Sequence, residues 1–497
     1  MPIPSIYEFK KMLDEKVWDI YSEGLTCTIN QFDSDWATSM SKKYKPHSVK
    51  EVAMFNGAIR PNFNDYRDIF MSRNKDFSNG NSFLDKLFEP TDKYILYQEN
   101  LMQFFEALGI KPSESINLIK KISKKKIKPE MFENLVDRLK QGWLKAIGNL
   151  DDFDETWNKI LTFMSYGYNT PHSLAMAYDS LYEAYAKSHY PLEYYSVALE
   201  MYRGDARRTE LLTKELDYFN IKIENPKFGK SKGNYFPDKA NNIIYKGVGS
   251  IKYINNDVAD EIYKISQQKT YNNFIELLID LEDININSRQ LDILIKLNYF
   301  DMYGKTQKLL KAVELFNGIY PKKQFNKSKL PFGISEEMFK KYSEVETKTL
   351  FKEVDKMKLI EDIFNMIPNK DIPIQTRLDT EIETLGYIQY KNPKLDKKYV
   401  LITDVNTKYT PIVMTYSLNS GATVKCKIPK RAWQSLEVGS IIYIKSMERK
   451  CGFKKVGEDG KGKPIFEKDM DKQEWWINSY EVINGLIDNI IEEVEDE

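Results

Sequence analysis

The sequence has 497 residues, which is enough for roughly three domains. Its 73 Lys and Arg residues balance 73 Asp and Glu residues, so there is no overall positive field, and any contact with nucleic acid must come from local patches. The three cysteines are too few and too scattered for a disulfide framework or a zinc knuckle, which suits a reducing cytosol. No stretch is apolar over the length of a membrane span, and the N-terminus lacks the apolar core of a signal peptide.

Apolar residues recur at helical spacing over much of the N-terminal half. The first such segment, residues 5–21, predicts one helix, and residues 26–32 after it have an extended pattern. Further helices are predicted over residues 92–108, 116–128, 135–147, 153–164 and 206–219. This half of the chain is therefore expected to be mostly helical.

Paired aspartates occur at three places: Asp33/Asp35, Asp152/Asp154 and Asp469/Asp471. Two-metal phosphoryl transfer needs carboxylates that a rigid element holds in place. None of the pairs lies in a convincing apolar strand, so the sequence favours solvated turns at all three places.

A tyrosine-rich stretch in the N-terminal half predicts one long helix. Pro171 suits its first position, Thr170 can cap it, and Pro191 predicts its end. Asn169 and His172 then lie at a helix N-terminus, where unpaired N–H groups and the positive end of the dipole favour an anion such as a phosphate. The alternative is an ordinary amphipathic helix with a polar cap.

Lysines crowd one side of residues 116–128, opposite a set of apolar positions; they are Lys120, Lys121, Lys124, Lys125, Lys126 and Lys128. Like charges four residues apart repel each other on a helix, so the cluster is easier to understand if an anion lies opposite it. A solvated basic face is the alternative.

The C-terminal half has two patterns. Residues 243–252 predict a strand that enters a Gly-x-Gly turn, and helices follow at residues 257–265 and between residues 271 and 297; such hairpins present backbone N–H groups to a phosphate. Beyond residue 376 the period changes to two, which predicts the strands of a small barrel. Its aromatic residues either stack on single-stranded nucleic acid or simply fill the barrel. They include Tyr387, Tyr399, Tyr409, Tyr416, Trp433, Tyr443 and Phe453.

Several motifs resemble those of the bacterial DNA polymerase III alpha subunit, the C-family replicative polymerase. They are GLTCTINQFDS at 24–34, RP at 60–61, LYQENLMQ at 96–103, YGYN at 166–169 with PH at 171–172, KSHYP at 187–191, GVG at 247–249 and LIKLNYFD at 294–301. The departures from the family's pattern include two near the expected nucleotide contacts: Thr170-Pro171 replaces the family's Lys-Ser, and Lys120-Lys121 replaces its Arg-Arg, which loses the bidentate fork of arginine.

The resemblance implies a multidomain α + β fold, with a mostly helical fingers domain, a helix-hairpin-helix region and a C-terminal OB-fold barrel. The expected boundaries are 1–80 for a palm-to-fingers junction, 81–225 for the fingers, 226–320 for the hairpin region that binds DNA and clamp, 321–375 for a linker with short helices, 376–480 for the OB-fold and 481–497 for a frayed acidic tail.

The resemblance implies the fingers-to-OB part of a split or truncated polymerase. The family's histidine-rich phosphoesterase domain and catalytic palm lie before the matched segments, so Mg²⁺-binding aspartates are expected on another polypeptide. Primer-template and single-stranded DNA, deoxynucleoside triphosphate and a sliding clamp are the further expected partners, in the cytoplasm of a bacterium or an infected host. The alternatives are a non-catalytic DNA-binding or clamp-associated protein and an inert gene fragment.

Site residues follow from the resemblance by position. Nucleotide contacts are expected from Lys120, Lys121, Asn169 and His172. DNA contacts are expected from Arg60, Lys124, Lys125, Lys187, Gly247, Gly249 and Lys252. The nearest candidate for a clamp-binding peptide is Gln324 with Leu330 and Phe332, although their spacing is poor and a plain linker is the alternative.

Overall fold

The computed structural model describes residues 4–164, 168–458 and 464–496. The chain forms two compact units, residues 1–223 with 237–244, and residues 224–236 with 245–497. Within the described ranges, no helix combines the length and the apolar character that crossing a bilayer requires.

The N-terminal unit is a helical domain. Its helices are α1 Ile6–Met12, α2 Glu15–Ser22, α3 Asp35–Tyr44, α4 Val49–Ala58, α5 Asn64–Met71, α6 Ser82–Leu87, α7 Gln98–Ala107, α8 Pro112–Ser123, α9 Pro129–Ile147, α10 Phe153–Met164, α11 Thr170–His189, α12 Pro191–Met201 and α13 Ala206–Leu216. One aromatic-rich core joins α1 to α11, with Phe104, Phe105, Trp143 and Phe153 almost completely buried. The 20-residue helix α11 packs against α2 and α4 and thus lies at the centre of the unit.

Two predictions for the first segment are wrong. Residues 5–21 form two helices because the Asp14 side chain caps α2 by accepting a hydrogen bond from the Val17 N–H (3.3 Å). Residues 26–32 are a series of turns, with left-handed backbone at Thr28 (φ 70°) and Gln31 (φ 68°). The Asn30 N–H donates to the Glu183 carboxylate on α11. A side chain therefore accepts the backbone hydrogen bond that a neighbouring strand would accept in a sheet.

Three short strands, β1 Lys222–Glu224, β2 Phe236–Asp238 and β3 Ile243–Tyr245, mark the division between the units. The C-terminal unit continues with α14 Asn256–Gln268, α15 Phe274–Glu282, α16 Ser288–Lys296, α17 Thr306–Ile319, β4 Gln324–Asn326, α18 Glu336–Tyr342, β5 Ser343–Glu346, β6 Leu350–Val354, α19 Lys356–Met366 and α20 Ile374–Leu385. Phe325, Phe339 and Phe351 are buried in the same core as α14–α17. Residues 321–375 are therefore part of a packed domain, and the prediction of a linker is wrong.

The last part of the C-terminal unit is a closed five-stranded barrel. Its strands are β7 Tyr399–Asn406, β8 Ile412–Ser417, β9 Thr423–Lys427, β10 Ile441–Glu458 and β11 Pro464–Val482, in the order β10-β11-β9-β8-β7. The β9–β11 pair is parallel and the other pairs are antiparallel. This OB-like barrel, the helical domain and the hairpin region together confirm the predicted α + β fold class.

The acidic C-terminus is ordered, contrary to the expectation of a frayed tail. Residues Ile487–Asp496 form α21, and Ile487 is fully buried. The Asp488 carboxylate accepts a hydrogen bond from the Ile374 N–H (2.6 Å) at the start of α20, and Glu492 pairs with Lys370 (2.9 Å). An apolar stripe on α21 and these polar contacts hold it against its neighbours.

Candidate nucleic-acid interface

At the start of α11, side chains already accept hydrogen bonds from backbone N–H groups. Asn169, one residue before the predicted Thr170, is the N-cap, and its Oδ1 accepts a hydrogen bond from the His172 N–H (2.9 Å). The Thr170 N–H and hydroxyl both donate to Glu99 Oε2 (3.0 and 2.9 Å). These two N–H groups are therefore not available to a phosphate, and His172 contributes an exposed imidazole instead. The Tyr166-Gly167 part of this motif lies outside the described residues.

Arg60 is held beside this helix start. Its guanidinium lies over the Tyr168 ring (4.5 Å to the centroid), and its Nη2 donates to Gln31 Oε1 (2.6 Å) and to the Tyr168 hydroxyl (3.2 Å). The Tyr168 ring in turn meets the His172 ring edge-to-face at 5.4 Å. Tyr168 therefore contacts both Arg60 and His172, next to the Asn169 cap.

The lysine cluster lies at the end of α8 and in the turn after it. Lys120, Lys121, Lys124 and Lys125 are exposed, while Leu118 and Ile119 anchor the helix in the core. Among the described residues, no hydrogen bond or ion pair joins this cluster to the start of α11. The cluster is open to an anion, and its role stays a prediction.

The predicted role of Lys187 in binding DNA is wrong. Its side chain is completely buried, and its Nζ lies 2.5 Å from Glu215 Oε2. The same Nζ donates to the backbone carbonyls of Leu25 and Cys27, both at 2.7 Å. Lys187 therefore pins residues 26–32 against α11 and α13, because a buried ammonium needs a counter-charge and hydrogen-bond acceptors.

The glycines of the Gly-x-Gly turn are used for packing. The Val248 N–H donates to the Lys232 carbonyl (2.8 Å) and the Gly249 N–H to the Gly233 carbonyl (2.9 Å), so these groups do not face solvent as phosphate donors. A Cβ on Gly247 would lie 2.5 Å from the Gly233 oxygen. The expectation that these N–H groups hold DNA is therefore corrected, whereas Lys252 is exposed as a DNA contact requires.

Two family models match parts of this chain. Residues 7–145 match the family model of the bacterial DNA polymerase III alpha subunit finger domain, and residues 220–310 match a helix-hairpin-helix motif. The chain is similar, over these residues, to the bacterial DNA polymerase III alpha subunit. The resemblance seen in the sequence motifs is thereby confirmed.

Individual alpha subunits show the extent of the similarity. The alpha subunit of Campylobacter jejuni is 27% identical over 313 residues, which is 61% of this chain and 26% of that protein. The alpha subunit of Ureaplasma parvum is 28% identical over 297 residues, or 59% of this chain and 30% of that protein. That of Aquifex aeolicus is 27% identical over 306 residues, covering 60% and 26%. The chain thus spans between a quarter and a third of these relatives.

Asp33, Asp35 and Asp154, from two of the three aspartate pairs, form ion pairs. Asp33 pairs with Arg208 (2.8 Å) and Asp35 with Arg207 (2.6 Å), and Asp154 lies 3.4 Å from Lys140. Within the ranges that the structure describes, no group of three or more His, Cys, Asp or Glu residues is arranged to hold a metal ion. The carboxylate of Asp33 thus binds α13 to the loop before α3, and that of Asp35 binds α13 to the first residue of α3.

The candidate clamp peptide is partly fixed in the fold. Gln324 pairs with Lys352 in the sheet formed by β4, β5 and β6, and Leu330 packs against the core. Phe332 is 55% exposed. Clamp binding by Phe332 and its neighbours therefore stays a prediction. These residues belong to a folded domain and not to a linker.

Glu99 and Gln31 are the polar residues that motif reading missed. Both stand inside quoted motifs, but the role of each depends on a partner that is distant in sequence: Thr170 for Glu99 and Arg60 for Gln31. Nothing in the local pattern distinguishes them from the other polar residues of the same motifs.

Glu183 is the acidic partner of the loop at residues 26–32. Its Oε2 accepts a hydrogen bond from the Asn30 N–H (2.5 Å). Burial raises the pKa of the Glu183 carboxyl, and Asp179 and Asp33 act in the same direction, against the Asn30 hydrogen bond and Lys187. The ionised form is therefore disfavoured by folding.

We expect Glu183→Gln to raise the unfolding temperature at about pH 7 and to leave it unchanged below about pH 4. A carboxyl whose pKa is raised in the folded state contributes most stability when protonated, and that contribution is lost as pH rises from 4.5 through the folded-state pKa. Glutamine keeps the acceptor for Asn30 without the charge. Glu193→Gln is the matched control, because the hydrogen bond from Lys239 lowers the pKa of Glu193 and predicts the opposite sign at neutral pH. Thermal unfolding across pH measures both; equal shifts in the two variants would contradict the prediction.

Proposed function

We propose that this chain provides the finger domain, the hairpin region and the OB-like barrel of a C-family DNA polymerase in DNA replication. The observation that carries the proposal is the finger-domain match over residues 7–145, together with the cluster that Arg60 and Tyr168 form at the start of α11. These residues would close over a nascent base pair and the incoming deoxynucleoside triphosphate.

Magnesium would supply the metal-ion catalysis of nucleotidyl transfer, held by palm aspartates outside residues 1–497. This chain's own residues bind and orient the substrates. Lys120 and Lys121 act as point charges for the triphosphate, and His172 is the exposed polar group at the helix start. Gln31 and the Tyr168 ring fix Arg60 against the same helix, so that its position is preorganised.

The proposal implies four partners: primer-template, deoxynucleoside triphosphate, a palm and a sliding clamp. Lys124, Lys125 and Lys252 contact the DNA backbone, and Phe332 is the exposed apolar residue for a clamp. The protein then acts where bacterial replication occurs, in the cytoplasm of a bacterium or of a phage-infected host.

The test is primer extension with Mg²⁺, in which the full chain is combined with a purified palm-bearing fragment of a related alpha subunit. Lys120→Gln/Lys121→Gln is expected to raise the KM for nucleotide by about 100-fold or more, because it removes two charge-assisted phosphate contacts that contribute about 1.5–3 kcal/mol each. Lys322→Gln/Lys323→Gln is the matched control, since it removes the same charge from an exposed lysine pair in the other unit.

Each result bears on a different part of the proposal. Extension by the chain alone would contradict a palm outside these residues. DNA binding without extension, whichever palm is supplied, would favour a non-catalytic DNA-binding protein. An equal rise in KM for both lysine pairs would show a general charge effect and would contradict a triphosphate site at α8.

A further inference from the structure

Tyr253 is an exposed tyrosine in left-handed backbone conformation, in the turn before α14. Its φ is 74° and its side chain is 40% exposed. Bulky residues are rarely found in this conformation because the Cβ approaches the backbone too closely. Hydrogen bonds hold the turn: the Lys252 N–H donates to the Thr384 carbonyl (2.8 Å), and Gln290 Nε2 donates to the Tyr253 carbonyl (3.0 Å).

The Tyr253 ring is backed by a fixed guanidinium. The Arg289 guanidinium carbon lies 3.6 Å from the ring centroid, and Arg289 Nη2 lies 3.1 Å from Glu383 Oε1. Lys252 Nζ is 4.9 Å from the same centroid. All four side chains are exposed, so the ring and its cations form a flat polar and aromatic surface beside the hairpin.

We propose that this surface is a stacking platform for an unpaired base of single-stranded nucleic acid, a role that rests on the proposed function. Every base has a π-face, and an aromatic ring supported by arginine binds it without reading sequence. Glu383 neutralises Arg289, so the guanidinium behind the ring has little net charge to hold a phosphate, and Lys252 carries the remaining positive charge of the group. A base fits this chemistry better than a backbone phosphate does.

The backbone conformation supports a role for the ring itself. Glycine adopts a positive φ without a steric penalty, so a tyrosine here destabilises the turn relative to glycine. Strained residues of this kind occur where a side chain has a binding or catalytic task. The ring of Tyr253 has no place in the apolar core, and binding a base accounts for its position.

The test measures binding of the full chain to a fluorescein-labelled oligothymidylate by fluorescence anisotropy. Tyr253→Gly is expected to weaken binding by about 5-fold or more, the smallest effect expected for one base–aromatic stack. Tyr253→Phe retains the ring and should bind like the parent chain. Ser435→Gly, at another exposed left-handed position (φ 51°), is the matched control for the glycine itself and should also bind like the parent. The unfolding temperature of Tyr253→Gly should be no lower than that of the parent.

Salt dependence distinguishes a base from a phosphate. Loss of a stacked base leaves the slope of log affinity against log salt unchanged, whereas loss of a phosphate contact reduces it by about one. A reduced slope would overturn the platform in favour of a phosphate contact, and equal binding by Tyr253→Gly and the parent would overturn it outright while the proposed function stands. Failure of the parent chain to bind any DNA would overturn both. If Tyr253→Gly does not fold, Tyr253→Asn, which tolerates a positive φ, gives the same comparison.

Discussion

Replacing Lys187 by methionine is expected to lower the free energy of unfolding of the N-terminal unit by about 3–5 kcal/mol. The change leaves Glu215, whose side chain is 10% exposed, without its counter-ion, and leaves the carbonyls of Leu25 and Cys27 without their donor. A buried charge without a partner is among the few single changes with so large an effect. Urea unfolding followed by circular dichroism measures the loss.

Two further variants show whether the cause is the unpaired charge. Lys214→Met removes a lysine from the same part of the chain, but its partner Glu210 is 65% exposed, so the cost should stay below about 1 kcal/mol. Lys187→Met/Glu215→Gln removes both buried charges and should be more stable than Lys187→Met alone, because the glutamine oxygen still accepts from the Cys27 N–H and its NH2 group can donate to the Tyr195 hydroxyl oxygen. Equal losses for Lys187→Met and Lys214→Met would contradict a structural ion pair.

Local patterns in the sequence located elements well. The periodicity over residues 153–164 gives the bounds of α10, and Pro191 separates α11 from α12 as the restriction on the residue before proline requires. The period of two predicts strands at residues 399–405, 411–416 and 422–428, and the bounds of β7, β8 and β9 differ from these by at most one residue at each end. These signals are local because each depends on residues within one or two turns of the chain.

Roles that depend on distant partners could not be predicted from the sequence. Lys187 looks like a solvent-exposed lysine at a helix end, and only the packing of α13 and the loop at residues 26–32 around it shows that it is buried. Glu99 meets Thr170 across 71 residues. The acidic C-terminus looked solvated because its charges mask an apolar stripe, which becomes visible only when Ile487 is seen in the core.

The turn at Gly247 shows the same difficulty for a motif. Glycines spaced in this way are equally suited to exposing N–H groups to a phosphate and to admitting a neighbouring backbone. The sequence favoured the phosphate, but the structure places the segment at residues 232–234 against the turn. The spacing of the glycines indicates that a side chain would not fit at these positions. It does not indicate whether a neighbouring backbone segment or a phosphate takes up the space.

Gly247→Ala is therefore expected to destabilise the C-terminal unit by about 2–3 kcal/mol, since the new methyl group would overpack a rigid contact. Its Cβ would lie 2.5 Å from the Gly233 oxygen and 2.6 Å from the Asn234 carbonyl carbon, and these are backbone atoms that hydrogen bonds to the turn hold in place. Gly249→Ala should cost less, because the nearest atom that it meets is the Asn256 side-chain oxygen, which can rotate at the expense of the Asn256–Asn234 hydrogen bond (2.7 Å), and the Gly233 backbone oxygen is farther away at 3.0 Å. Gly485→Ala, in open space, is the control and should have almost no effect.

DNA affinity, measured beside stability on these three variants, decides between packing and phosphate binding. If the glycines serve packing, affinity should fall only at temperatures where the variant also unfolds, and Gly249→Ala should bind DNA like the parent chain while folded. If their N–H groups hold a phosphate, Gly249→Ala would lose affinity with an unchanged unfolding temperature. That result would support the predicted DNA contact at this turn. It would mean that the Val248 and Gly249 N–H groups leave their backbone acceptors and donate to a phosphate when DNA binds.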